Sequence, residues 1–336
     1  TSAAGAVATY ALPTAPDGVD AAPTVTAIPA SGSTFALGTT TVTVTAGDAA
    51  GNTSTATFTV TVRDTTPPVI GAVSNLTAEA TSAAGAVVTF ALPTATDGVD
   101  AAPVVTASPA SGSTFAVGVT TVTVTARDAA GNSSTATFTV TVRDTTRPAL
   151  TVPGAITKEA TAPLTPVTLG TATAVDLVDG PVTPTNNAPA AGFPVGTTVV
   201  TWTAVDSRGN KVTATQSVTI TDTTAPTANL SLTPGSLWPP NHKLVAITPT
   251  LTASDLAGPV TISGPTITSN EPVNGLGDGD TSPDWIITGT NGIQLRAERS
   301  GTGNGRTYTI TYVVTDQSGN ATTVSATVLV PKSQGK

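Results

Sequence analysis

The chain has no cysteine. That excludes disulfide staples, thiolate metal sites and a cysteine nucleophile, and it leaves the redox compartment open. Histidine occurs once, as His242 in "PPNHK", with no serine and aspartate arranged around it as a triad, and one histidine without cysteine does not build a usual zinc site. A structural histidine is expected there. Basic residues number 13 against 21 acids in 336 residues, for a net charge of −8. Such a surface repels nucleic acid and anionic membranes, and no basic stripe offsets it. No apolar run approaches the roughly 18 residues of a membrane helix, so no membrane span is expected. No glycine-rich phosphate loop leads from a strand into a helix, because no segment carries a helical pattern. With none of these catalytic constellations, the chain is expected not to be an enzyme.

What the chain does contain is threonine, which makes up more than a fifth of it, together with valine, alanine, 31 glycines and 27 prolines. β-Branched residues suit pleated sheets, and glycine and proline punctuate turns, so the fold class is all-β. The segment "TFTVTVRDTTPPVI" (Thr57–Ile70) returns as "TFTVTVRDTTRPAL" (Thr137–Leu150) and, altered, as "SVTITDTTAPTANL" (Ser217–Leu230). The aspartates of these junctions, Asp64, Asp144 and Asp222, lie 80 and 78 residues apart. That period is the size of a small sandwich domain. The expected architecture is tandem Ig-like β-sandwich domains in a linear array, with domains at 1–64, 65–144, 145–222 and 223–336. The last is enlarged by an insertion near 270–300.

Residues 1–66 align without gaps on 81–146 and differ at nine positions. The stretch 67–80 has no counterpart before Thr1, so the first repeat is expected to lack its opening strand, as a fragment of a longer array or as an acceptor of a strand from another chain. Within the second repeat Ala136, Phe138, Val140 and Val142 alternate with Thr135, Thr137, Thr139 and Thr141. This period of two puts the apolar set on one face and hydroxyls on the other. The last two strands of each repeat are joined by "GDAAGN", "RDAAGN", "DSRGN" and "DQSGN". Asp-x-x-Gly-Asn between alternating strands is a hairpin, with register set by Gly51, Gly131, Gly209 and Gly319. Trp202 falls in the register of Val124 and is expected in the core.

The run "SGSTFAVGVTTVTVTARDAAGNSSTATFTVTV", led by "TATDGVD" and flanked by "DTTPPV", resembles the hyalin repeat (HYR) family. The resemblance covers all four units, most strongly the first two. It implies tandem Ig-like modules in a secreted or cell-surface, extracellular protein linked to cell adhesion. Where members of that family carry cysteines, this chain has Val99, Ala107, Val124 and Ala136, so apolar packing replaces stapling. The distance from junction Asp to hairpin Asp is 64 residues in repeat two and 62 in repeat three, but 94 in the last. The insertion, with "LWPPNHKL" and the closing "VPKSQGK", resembles a module found at the ends of bacterial secreted repeat proteins.

Of the 21 acidic residues, 17 are aspartates, and each lies at a repeat landmark or in the insertion. In an Ig-like topology the loops after the second strand and between the last two strands share the end where the preceding domain enters. Three groupings follow: Asp64 with Asp97, Asp100 and Asp128; Asp144 with Asp176, Asp179 and Asp206; Asp222 with Asp255 and Asp316. Carboxylates gathered this way repel unless a cation sits among them, and no Lys or Arg recurs at every junction. Calcium, which takes six to eight hard oxygen ligands, suits them. The competing reading is that Asp is a turn residue and that Thr-Thr-Pro-Pro supplies the stiffness. In the insertion, Asp278, Asp280 and Asp284 are either a loose calcium loop or a solvated loop.

Two functional classes follow. The leading one is a non-enzymatic structural or adhesive stalk or filament, assembled with other copies of itself or with surface proteins, accepting a donated strand in its first domain and stiffened by calcium between domains. The alternative is a carbohydrate-binding or spacer appendage of a secreted enzyme, contacting glycans through Trp238 or Trp285. A surface-binding face of Thr-x-Thr rows is a weaker third.

Overall fold

A computed structural model describes residues 1–273 and 281–333. Its described residues are strands, turns and loops, without a helix. Chain contacts define two compact units. One comprises Thr1–Pro148 with Val175–Pro181 and Asp206–Asn210, and the other Ala149–Ala174, Val182–Val205 and Lys211–Lys336.

In the first unit, the alternation in the sequence becomes long hairpins. Gly38–Gly47 pairs antiparallel with Thr53–Val62, and Thr24–Ile28 adds to the other edge of Gly38–Gly47. Val42 and Val44 point into the core with Phe35 and Val62. Thr41 and Thr43 stand opposite Thr59 and Thr57, on the opposite face because successive side chains alternate across a strand. The second repeat repeats this hairpin with Gly118–Arg127 and Ser133–Arg143. Its sheet gains a fourth strand, Leu76–Glu79, which runs parallel to Val140–Arg143. Short pairs, Val69–Ile70 with Ala95–Thr96 and Ala86–Val87 with Thr114–Phe115, complete the second repeat. Phe115, Val122, Val124, Val140 and Val142 fill its core. Among the described residues the first repeat has no strand in the place of Leu76–Glu79, and none pairs with the outer edge of Thr53–Val62.

The second unit carries the same design. Gly196–Val205 pairs with Lys211–Thr221, Ile156–Glu159 runs parallel to Val218–Thr221, and Thr185–Asn186 lies on the other side. Trp202 is buried as expected, and its indole N–H donates to Gln216 Oε1 at 3.0 Å. The Gln216 amide in turn donates to the Gly154 and Leu169 carbonyls, so the polar atoms of this core are satisfied.

The last repeat builds two sheets. One consists of Thr227–Thr233, Leu244–Ser254, Ile293–Arg296 and Trp285–Ile287; the other of Thr261–Ser269, Gly305–Thr315 and Ala321–Pro331. Between them lie Leu295, Tyr308, Ile310, Tyr312, Val328 and Val330.

Candidate metal sites at the repeat joints

Each joint starts from the hairpin turn. Asp128 N–H donates to Asn132 O, Gly131 N–H donates to Asp128 O, and the Asp128 carboxylate accepts from both the backbone and the side-chain N–H of Asn132. Gly131 sits at φ 99°, a left-handed conformation that glycine adopts without a Cβ penalty. The turns at Asp48, Asp206 and Asp316 repeat the bonding to Asn52, Asn210 and Asn320. The Asp–Asn pair therefore closes the turn and holds its carboxylate in place.

The turn asparagine also reaches back across the joint. Asn132 Nδ2 donates to the Asp64 carbonyl at 3.2 Å, Asn210 to Asp144 O at 3.2 Å and Asn320 to Asp222 O at 3.0 Å. A hydroxyl two residues on makes a further tie, Ser134 to Pro68 O and Thr322 to Pro226 O. Each linker is thus fastened to the hairpin of the repeat that follows it.

The loop after the second strand supplies the third acid. Asp97 Oδ1 accepts from Val99 N at 2.8 Å and Asp100 N at 2.9 Å, an Asx-type turn. Asp176 does the same with Val178 and Asp179, and Asp255 with Ala257. These turns aim one residue at the preceding repeat: Val178 packs into the core of repeat two and Ala257 against that of repeat three. Val99, at the equivalent place, faces a shallow pocket with Leu37, Val62 and Asp64.

The outcome is three acid clusters: Asp64, Asp97 and Asp128; Asp144, Asp176 and Asp206; Asp222, Asp255 and Asp316. In each, one carboxylate oxygen from every member lies within 4.8 Å of the others. The second cluster is buried throughout, with Asp144 6% exposed, Asp176 3% and Asp206 7%. Because Asp176 Oδ1 is occupied by its turn, Oδ2 is the free oxygen, and it is buried without a hydrogen-bond donor. Asp64, Asp97 and Asp144 each hold such an Oδ2 as well. Two unit charges 4.8 Å apart at an effective dielectric near 20 repel by about 3 kcal/mol. The turn donors nevertheless favour ionisation. Backbone N–H groups of Asp100 and Val99 hold the Asp97 carboxyl below its ordinary value. For Asp206 and Asp316 burial pushes upward, and the donors of Asn210 and Asn320 outweigh it, so both also lie below. A hard cation fits this donor set, since buried oxygens lacking a donor are the ligands that calcium accepts.

Two of the expected members stay outside the clusters. Asp100 accepts from Ala102 N and Ala129 N, tying the two loops together. Asp179 accepts from Ser207 N and pairs with Arg208 at 2.7 Å. In the insertion, Asp278 and Asp280 lie outside the described residues. Asp284 is neither in a solvated loop nor near a triad: it is 1% exposed and ion-paired with the fully buried Arg306. Arg306 also meets Glu298 at 3.3 Å, and His242 Nδ1 lies 3.3 Å from the same Glu298. Burial pushes the neighbouring Tyr308 hydroxyl strongly upward, and that hydroxyl donates to the Arg296 carbonyl. Trp285 stacks edge-on against Tyr308, whereas Trp238 is 41% exposed.

These features define a class: tandem β-sandwich repeats whose joints are built from a linker, an Asx loop and a hairpin, each contributing one aspartate. The profile of the HYR domain matches residues 2–62, 63–142 and 143–220, and the chain belongs to that family. Hyalin of Lytechinus variegatus is 37% identical over 239 residues, covering 67% of this chain and 45% of that protein. Hyalin of Strongylocentrotus purpuratus is 36% identical over 242 residues, 66% of this chain and 20% of that one. The serine-rich adhesin for platelets of Staphylococcus aureus strain MRSA252 is 36% identical over 110 residues, 30% of this chain and 8% of the adhesin. The chain therefore spans less than half the length of these relatives. Among solved structures, a protocadherin gammaB7 EC3-6 cis-dimer is similar at a TM-score of 0.36 and 14% identity, over 89% of this chain and 87% of that one. Among the described residues no helix is long and apolar enough to cross a membrane.

Proposed function

We propose that this chain is part of a non-enzymatic, extracellular structural or adhesive protein, and that calcium bound by the aspartate triads stiffens the joints between its repeats. Domain limits at residues 64, 144 and 222 belong to this reading, because each triad takes its first acid from such a limit. The observation that carries the calcium reading is the recurrence of one construction three times, with a carboxylate oxygen of each member within 4.8 Å of the others. The likeness to hyalin and to a platelet adhesin supports the surface location and adhesive role, with other copies of the chain or surface proteins as partners. The unpaired edge of Thr53–Val62 supports strand acceptance, whether the strand comes from a preceding stretch of the same polypeptide or from another copy. Beside it, Asn52 and Ser54 line a groove with Pro13, Val25 and Val44. The matching Asn132 and Ser134 of repeat two hold the Asp64 and Pro68 carbonyls. A labelled peptide copying residues 64–80 is expected to bind the full chain, and no binding would remove strand acceptance. The carbohydrate-binding alternative is less favoured, since Trp285 is packed edge-on against Tyr308 in the core of the last repeat.

The test is thermal unfolding of the full chain in millimolar calcium and then in EDTA. A ligand that binds the folded state at 100 times its dissociation constant stabilises by about 2.7 kcal/mol. A higher midpoint in calcium is expected; the same midpoint in both would defeat the calcium reading.

A further inference from the structure

The three triads share a plan but differ in what stands beside them. At the third position of the hairpin Asp-x-x-Gly, repeat two has Ala130, the last repeat has Ser318, and repeat three has Arg208. Ser318 donates its hydroxyl to Asp222 Oδ2 at 3.1 Å, which gives that oxygen a neutral partner. Ala130 gives nothing to Asp64 Oδ2, which is buried without a donor. Arg208 brings a guanidinium: its Nη1 lies 2.7 Å from Asp179 Oδ1 and 3.8 Å from Asp144 Oδ2. The Arg208 side chain is 35% exposed, so it lies at the rim of the cluster, while Asp144 and Asp176 lie beneath it.

We propose that Arg208 is the residue that sets cation affinity at the Asp144–Asp176–Asp206 triad, standing in for part of the cation's charge and competing with it for Asp144. This deepens the calcium reading above and rests on it. Asp176 Oδ2 is the ligand the arginine does not reach: it is buried, has no hydrogen-bond donor, and belongs to a side chain whose other oxygen is fixed by the Val178 and Asp179 amides. A divalent ion entering between Asp144 and Asp176 meets the field of a guanidinium ion-paired within the joint, whereas among the described residues no ion pair is made to a member of the Asp64 or Asp222 triad. Arg208 then remains anchored on Asp179, whose Oδ1 it holds at 2.7 Å and whose Oδ2 accepts from Ser207 N. The joints of one chain therefore load with calcium at different concentrations, the Arg208 joint last.

The direction of the effect follows from electrostatics. An opposite charge within about 4–6 Å of a carboxylate shifts its proton equilibrium by roughly one to three decades. Arg208 is partly exposed and solvent-screened, so the lower end applies, about tenfold in calcium affinity. Arg208→Ala places at this turn the residue that repeat two already tolerates there, Ala130, and Arg208→Gln keeps the polar stem without the charge.

The experiment is isothermal titration of calcium into the full chain carrying Asp64→Asn and Asp222→Asn, which disable the other two triads, with and without Arg208→Ala or Arg208→Gln. Both arginine variants are expected to bind one ion about tenfold more tightly than the Arg208 parent, and adding Asp176→Asn to either is expected to abolish that binding. Ala130→Arg in the otherwise unaltered chain is expected to weaken the Asp64 triad to a similar degree. Unchanged or weaker affinity in both arginine variants, or binding that survives Asp176→Asn, overturns the proposal. If the unaltered chain still binds calcium in that case, the general calcium reading stands and only the role of Arg208 is lost. If neither the unaltered chain nor any variant binds calcium, both fall together.

Discussion

Val178→Ala probes the joint without touching an acid. Val178 is 6% exposed and belongs to the core cluster of repeat two, although it comes from the Asx loop of repeat three. The substitution removes two methyl groups at about 0.8 kcal/mol each, and the rest of the core cluster to which Val178 belongs closes only part of the space. The expected cost is about 2 kcal/mol. For a unit of 60–100 residues that corresponds to roughly 10 °C in melting temperature. Calorimetry of the full chain, read at the transition that shifts, measures it. Val99→Ala serves as an internal comparison, since Val99 is only half-buried and its pocket with Leu37 and Val62 is already open, so a clearly smaller shift is expected. If Val178→Ala changes stability by no more than the ~0.5 kcal/mol typical of a surface position, the joint is not packed through this residue and the reasoning fails.

Arg306→Met leaves Asp284 and Glu298 buried without their shared guanidinium, and removing one partner of a buried pair costs about 3–5 kcal/mol. Urea unfolding should show the last repeat melting first, and a loss under 1 kcal/mol would argue against the network. The pH dependence has a definite sign. The carboxyls of Asp97, Asp206 and Asp316 titrate lower in the folded chain than the ordinary value of 3.8, so their contribution is full above that value and is lost as pH falls through the lower folded values. Melting temperature in EDTA should therefore be level from pH 7 to 5 and fall steeply below 3.8; a decline already complete at pH 5 would contradict the assignment.

Much of this architecture is legible in the sequence because it is local. The alternation of Phe138, Val140 and Val142 with threonine fixes both strand and face, and Asp-x-x-Gly-Asn fixes the turn through a glycine at positive φ and an Asp–Asn side-chain bond. The gathering of Asp64, Asp97 and Asp128 follows from topology alone, since a linker and two loops share one end of a sandwich. What stayed hidden depends on side-chain reach across the chain. Nothing in the string marks that Asn132 spans 68 positions to hold the Asp64 carbonyl, or that Asp100 bonds Ala129 N and so leaves the triad. The valine of "DLVD" looks like any loop valine, yet Val178 plugs a neighbouring core. Asp284 reads as part of a polar loop because its partner, Arg306, lies 22 residues away behind the glycine-rich stretch Ser300–Gly305. Arg208 looks like a variable turn residue, and only its 3.8 Å approach to Asp144 gives it a role.

The central claim is that the linker aspartates, with their loop and hairpin partners, form calcium sites. Equilibrium dialysis of calcium against the full chain and against the triple variant Asp64→Asn, Asp144→Asn, Asp222→Asn tests it most directly. The account predicts that the unaltered chain takes up calcium at millimolar concentration and that the triple variant, still folded by circular dichroism, takes up little or none. Equal uptake by the two proteins, or none by the unaltered chain, would contradict it.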